Sequence, residues 1–324
     1  MPACLVEDTR RAIQDSLRHE SLQAVREAFG RSGLGVADCL DDVWSLAQAA
    51  DVPAIFTGIV QKVLGDRATP DGKIALARWL LIQASVVALE KLGGLAVDDS
   101  VKSLFCTEFR FFADPEIRWI KDFQPDHNAS LRSMCRVALL KRFPAGQSQW
   151  ELSGFPRSWL GKVPRRSLPS LLSFLTTKLR GFSPLFELHT SSRTIVLLEK
   201  EANQSYYRLA KTLAMQPSIK GIMMASWFHS PETFRVSRHL AWLNEVFAKN
   251  NAFLTTLGPA GPNSGFLAGS VVRRKLYEKG EFKPTIGLVL WARNDAIAWA
   301  AAHPEFDEAS LFSAQADRLS GQPR

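Results

Sequence analysis

The residues best suited to chemistry gather in S-W-F-H-S-P-E-T-F-R-V-S-R-H-L-A-W-L, residues 226–243. His229 and His239 are imidazoles that titrate near neutrality and can move a proton. Arg235 and Arg238 are cations placed to hold phosphate oxygens. Ser237 reads as the cap of a following helix, whose first free amides also attract anions. The whole segment follows an apolar run, I-K-G-I-M-M-A-S-W-F, that reads as a buried strand. Ligands of open α/β sheets sit at such carboxyl ends. His189, two residues after Glu187 on one strand face, is another candidate base. A histidine in a loop is also commonly a structural hydrogen-bonder, so both readings stay open. His189, His229 and His239 have no recognised metal-ligand spacing, and no metal site is predicted.

A second group is glycine-rich: G-P-A-G-P-N-S-G-F-L-A-G-S, residues 258–270. It follows one predicted strand and opens a helix, so Gly258, Gly261 and Gly265 would let backbone approach a ligand. It is neither G-x-G-x-x-G nor a P-loop, because it lacks the lysine. The alternative is a turn and a glycine helix face packed on the sheet. Motifs of the G-x-S-x-G, H-E-x-x-H and EF-hand types are absent from the sequence.

Directly after this loop comes V-V-R-R-K-L-Y-E-K-G-E-F-K-P, residues 271–284. With the preceding strand–helix–strand pattern, it resembles the fourth helix and exit of GNAT-type acyltransferases over about 70 residues, Ile219–Trp291. The resemblance implies a thioester donor, either acyl-CoA or an acyl carrier protein, and an acceptor such as an amine. It implies Tyr277 as the acid that protonates the departing thiolate and Glu199 or His229 as general base. Arg235, Ser237, Arg238, Gly258, Gly261 and Gly265 would then bind the cofactor. Two other readings remain: a non-catalytic binding module, and a doubly wound nucleotide-binding domain with its ligand at Gly258–Gly265.

The elements that must position these residues divide the chain by charge as well as by pattern. Its 324 residues carry 40 Lys and Arg against 32 Asp and Glu, for +8. Residues 1–131 hold 14 basic and 19 acidic residues, and helical periodicity runs throughout, notably over 9–29 and over 71–92 with Asp71 as cap. Residues 132–183 hold ten basic residues against Glu151 alone, net +9. In this predicted connector Phe143, Trp150, Phe155 and Trp159 interleave with Arg142, Arg157, Lys162, Arg165 and Arg166. Such a pattern suits a polyanion: single-stranded nucleic acid, an anionic lipid surface or an acidic carrier protein. It equally suits a linker whose aromatics pack between domains.

From residue 184 the pattern becomes strands alternating with helices: strands over 185–189, 194–199, 219–228, 252–257 and 285–291, and helices over 203–215, 237–249, 265–279 and from Asp295. The predicted fold is therefore an all-helical domain (1–131), a basic connector (132–183), and an α+β or α/β, GNAT-like mixed-sheet domain with helices on both faces (184–324). An N-terminus carrying Glu7 and Asp8 is no signal peptide. The longest apolar stretch, 79–89, is interrupted by Gln83 and Ser85, so no membrane span is predicted. Four cysteines without C-x-x-C spacing suit free thiols in a cytoplasmic protein.

Overall fold

The computed structural model describes residues 3–114, 128–191, 196–261, 265–267 and 270–307. The chain forms two compact units, Met1–Pro144 with Ser191–Arg193 and Ala145–Thr190 with Thr194–Arg324.

The first unit is built from helices. They are α1 (Ala3–Arg18), α2 (Gln23–Ser32), α3 (Val36–Gln48), α4 (Val52–Leu64), α5 (Pro70–Leu92), α6 (Asp99–Ala113) and α7 (Asn128–Ala138), and the unit ends in a short strand, β1 (Arg142–Pro144). The helix starts follow local chemistry: Asp51 accepts from the Ala54 amide and Asp98 from the Ser100 amide, as N-caps do. The predicted single helix over 9–29 is two helices, parted by a 3-10 turn at Glu20–Leu22 whose Ser21 amide donates to the His19 ring. Thr69 rather than Asp71 caps α5, because Pro70 takes the first-turn position where no N–H is needed. Helix α5 is buried almost all round, between α3, α6 and α7. Among the described residues it is the one helix long and apolar enough to cross a bilayer, and most of it lies inside this core. Cys39, Cys106 and Cys135 are buried and unbridged, and burial raises all three thiols, Cys39 to about 11. Such thiols stay protonated and are poor nucleophiles.

The second unit is a mixed sheet: β2 (Ser148–Ser153), β3 (Leu185–Thr190), β4 (Gly221–Ser226), β5 (Phe253–Pro259) and β6 (Thr285–Ala292), in the order β2-β3-β4-β6-β5. The pairs β2/β3, β4/β6 and β6/β5 are antiparallel, and only β3/β4 is parallel. The doubly wound alternative fails here, because β6 inserts antiparallel between β4 and β5 and separates the two strands that fold would place side by side. One face of the sheet carries α9 (Glu199–Met215), α11 (Trp242–Lys249) and α13 (Arg293–Ala302), where Phe247 packs edge-on against Trp291 and Tyr206. The other face is covered by α8 (Leu168–Ser173) and the π-turn after it, with Leu171, Leu175 and Leu179 against Leu185, Met223, Leu288 and Leu290. Two short helices, α10 (Pro231–Val236) and α12 (Val271–Glu278), complete the unit.

Residues 132–183 are not a connector. Arg132–Pro144 belongs to the first unit and Ala145 onward to the second. The stretch read as turn-rich contains β2, entered through Gly146 at φ +109°. Trp150 is buried against Phe186, Phe155 is buried with Trp159 packed edge-on to it, and Phe143 stacks edge-on against Phe105. The base-stacking form of the polyanion expectation thus lacks exposed rings, although its cations remain. The predicted strand over 194–199 falls partly outside the described residues, and Glu199 starts α9 instead. Helix α12 begins at Val271, later than predicted, and α13 begins at Arg293.

Candidate active site

Strands β3 and β4 hydrogen-bond to each other over Phe186–Leu188 and Ile222–Met224, and there their ladder stops. Each continues two residues further, held from outside: β3 by β2 through Thr190 and β4 by β6 through Ser226. Two strands tied to outer neighbours but not to each other diverge. A cavity of about 300 Å³ opens at this point. It is lined by Leu188 and His189 from β3, Met224, Ala225 and Ser226 from β4, and Tyr206 from α9, among others. Successive strand residues point to opposite faces, so a cavity touching both His189 and Leu188 passes between the strands rather than lying on one face. The crossover helix α9 and the turn Trp227–His229 close its sides.

His229 lines this cleft and is buried. Its Nδ1 lies 2.8 Å from Asn244 Oδ1, while Asn244 Nδ2 donates to the His229 carbonyl at 3.3 Å. With its amide nitrogen so engaged, Asn244 presents an oxygen to the ring, so Nδ1 donates and Nε2 carries the lone pair. Burial pushes the imidazole down to about 4, against the raising effect of the Asn244 bond. The ring is therefore neutral at physiological pH, in one tautomer.

The segment holding His229 is pinned to β6. Ser230 Oγ donates to Glu232 Oε2 at 2.5 Å and accepts from the Thr285 amide at 3.1 Å, and Thr285 Oγ1 donates to the same carboxylate at 3.0 Å. Burial works against the Glu232 charge, but these bonds and Arg235 prevail and hold its carboxyl below the ordinary range. Below the turn, Gly287 lies so close to His229 that a Cβ there would meet the His229 carbonyl at 2.3 Å. Glycine at 287 is thus a condition for the position of the imidazole.

Of the residues singled out from sequence, His189 and His229 come together in the cleft, and the others do not line it. Tyr277 does not line the cleft; it stands edge-on to Phe266 at 5.1 Å, in an aromatic cluster with Phe282 and with Trp227, which borders the cleft. Glu199 is exposed at the start of α9. Arg235, in the last turn of α10, and Arg238, after it, are exposed, Arg235 beside Glu232 at 3.9 Å. Ser237 makes no capping bond and instead accepts from Arg273 at 3.4 Å. His239 is exposed. Gly258, at φ +97°, lies within a bulge of β5, which explains it without a ligand. Gly261 and Gly265 border residues outside the described set. Arg273 spans this region, stacking over Trp227 at 5.0 Å and donating to the Phe266 carbonyl at 2.7 Å. The loops after β4 and β5 therefore do meet, through Trp227, Ala260 and Phe266, but what they share is packing.

Tyr206 was not singled out, because it reads as one apolar position of an amphipathic helix. Burial raises its phenol, so it keeps its proton and can only donate or accept a hydrogen bond. Asn244 was missed likewise: nothing in the sequence marks it as the partner of a histidine 15 residues earlier.

No protein-family model matches the chain, and no curated protein is similar to it. Among solved structures it is similar to an acyltransferase in complex with decanoyl-CoA, with a TM-score of 0.46 and 10% identity over 89% of this chain and 99% of that one. It is similar also to an acyltransferase in complex with decanoyl-CoA and teicoplanin, with a TM-score of 0.44 and 14% identity over 82% and 87%. A third is an acyltransferase in complex with CoA and 10C-teicoplanin, with a TM-score of 0.45 and 14% identity over 86% and 87%.

Proposed function

We propose that the second unit transfers an acyl group from a thioester of the coenzyme A type to an amine, in the cleft between β3 and β4. The observation that carries this reading is the end of the β3/β4 ladder beside a buried, neutral imidazole. Two facing strand edges whose inward N–H and C=O groups lack a ladder partner suit a narrow, amide-bearing guest, which can bond to them as an added strand would. The pantetheine arm of an acyl-thioester is such a guest. An acyl carrier protein presents the same arm. The exposed Arg235 and Arg238 supply cations for the phosphates that precede it. The resemblance of residues 219–291 to GNAT-type acyltransferases agrees with this class of donor.

The basicity of His229 selects the acceptor. A base near 4 is too weak to ionise an alcohol before attack, since efficient general bases lie near the working pH. An amine needs less: its own lone pair forms the C–N bond, and only then does its nitrogen become strongly acidic. His229 Nε2 would take that proton. The C–S bond then breaks with its electron pair on sulfur, and the thiolate is protonated from His229 or solvent. Tyr206, protonated in the cleft wall, is a hydrogen-bond donor for the carbonyl oxygen as it gains charge. Tyr277 would act in protonating sulfur only after moving from its aromatic cluster.

Calorimetry with acetyl-, octanoyl- and decanoyl-CoA tests donor binding, and steady-state kinetics with amine acceptors tests transfer. His229→Gln should lower kcat about 10²–10⁴-fold while leaving acyl-CoA affinity nearly unchanged. No affinity for any of these thioesters, free or carrier-bound, would remove the reading.

A further inference from the structure

We infer that Glu151, Glu187 and His189 form a binding site for a divalent transition-metal ion of the zinc class, on the wall of the cleft. Glu151 and Glu187 are directly opposite each other in the antiparallel β2/β3 register, and His189 is two residues beyond Glu187, so all three side chains share one face. On that face Leu185 enters the core, and His189, past Glu187, reaches the lining of the cleft. One ligand atom from each residue falls within 4.8 Å of the others. His189 Nε2 is 3.3 Å from Glu151 Oε1 and 3.9 Å from Glu187 Oε1.

These are the separations of His–carboxylate ion pairs, and they also lie near the spacing of ligands around one metal ion. Ligand atoms about 2.0–2.2 Å from a four-coordinate zinc lie roughly 3.2–3.6 Å from one another. The His189–Glu151 pair is already at that spacing, and the His189–Glu187 and Glu151–Glu187 pairs, the latter within 4.8 Å, reach it by side-chain rotation. His189 Nε2 is itself buried and has no hydrogen-bond partner. A metal ion is one occupant that would satisfy such an atom. A cation between the three atoms would meet that nitrogen and lie between the two carboxylates that face each other across the ladder. The imidazole nitrogen selects zinc-like ions over magnesium and calcium, which take oxygen ligands. Three protein ligands would leave a fourth position open to water or another ligand, beside a cleft that His189 lines.

The site is tested on the full chain, freed of metal by dialysis against a chelator, without any thioester present. Titration calorimetry with Zn²⁺ should show one equivalent bound, weakened about tenfold or more in Glu187→Gln and in His189→Asn. Zn²⁺ should raise the Tm of the unmodified protein and not that of His189→Asn, since only an ion that binds the folded state stabilises it. Mg²⁺ should do neither. Circular dichroism checks that each variant folds, and Glu151→Gln replaces one that does not. Uptake unchanged in these variants, uptake lost in Cys4→Ser, which removes an exposed thiol, equal binding of Mg²⁺, or no uptake at all would overturn the inference. Failure of thioester binding would leave it untouched, since zinc is measured alone.

Discussion

At the scale of single residues, the environment of His229 is far from that of water. Its folded value of about 4 lies below the ordinary imidazole value of 6.5, because burial penalises the charged ring. Between those two values the unfolded chain binds a proton that the folded chain does not, so stability rises with pH across this window. It is fully present above about 6.5 and is lost as pH falls toward 4. The integrated effect of such a shift is about 3 kcal/mol. Urea unfolding at intervals from pH 7 to pH 4 should show a stability decline in the unmodified protein that is shallower in His229→Gln, which cannot be protonated. Parallel declines would mean that the ring is not held neutral. Turnover should follow the same logic: a base already neutral at pH 7 imposes no loss of activity between pH 7 and 5.

At the scale of elements, the cleft depends on glycine in a neighbouring strand. Gly287 in β6 lets the His229 backbone lie against the sheet, and a Cβ there meets backbone on an adjacent turn rather than a side chain that could rotate away. Gly287→Ala should therefore destabilise by about 1–3 kcal/mol or displace the 227–229 turn. Thermal melts and donor kinetics would show a lowered Tm together with lost activity, whereas an active variant of unchanged Tm would refute the contact. How much of this was legible in the sequence varied with the range of the interaction. Strands β3, β4, β5 and β6 were readable from their apolar, β-branched runs, and His229 from its place after one of them. Strand β2 was hidden because Ser148, Gln149 and Trp150 are all buried, so its polar residues do not alternate outward as a half-exposed strand's would. The cleft itself was not legible: it arises where one ladder stops while two others continue, which is a matter of strand order and register. The Glu151–Glu187 pairing was hidden for the same reason, since 36 positions of sequence separate residues that face each other only in the folded sheet.

At the scale of the whole molecule, the charge surplus of +8 bears on how the proposed donor is held. A CoA thioester carries several phosphate charges and a thioester of pantetheine alone carries none, although both present the same amide arm to the cleft. If exposed arginines hold the phosphates, their contribution is screened by salt, because the Debye length shrinks from about 10 Å at 0.1 M to about 3 Å at 1 M. The contacts within the cleft are buried and far less sensitive. Affinity for octanoyl-CoA should thus fall several-fold between 50 and 500 mM NaCl, while affinity for octanoyl-pantetheine stays nearly flat. The double substitution Arg235→Ala with Arg238→Ala should remove most of the difference and leave pantetheine binding intact. Should the salt dependence instead disappear in Arg165→Ala with Arg166→Ala, the basic segment 132–183 would be the phosphate-binding surface, and the expectation of an anionic partner there would be met by the donor itself. Equal salt dependence for both thioesters would remove the arginines from the donor site, because a molecule without phosphates cannot lose an interaction with them.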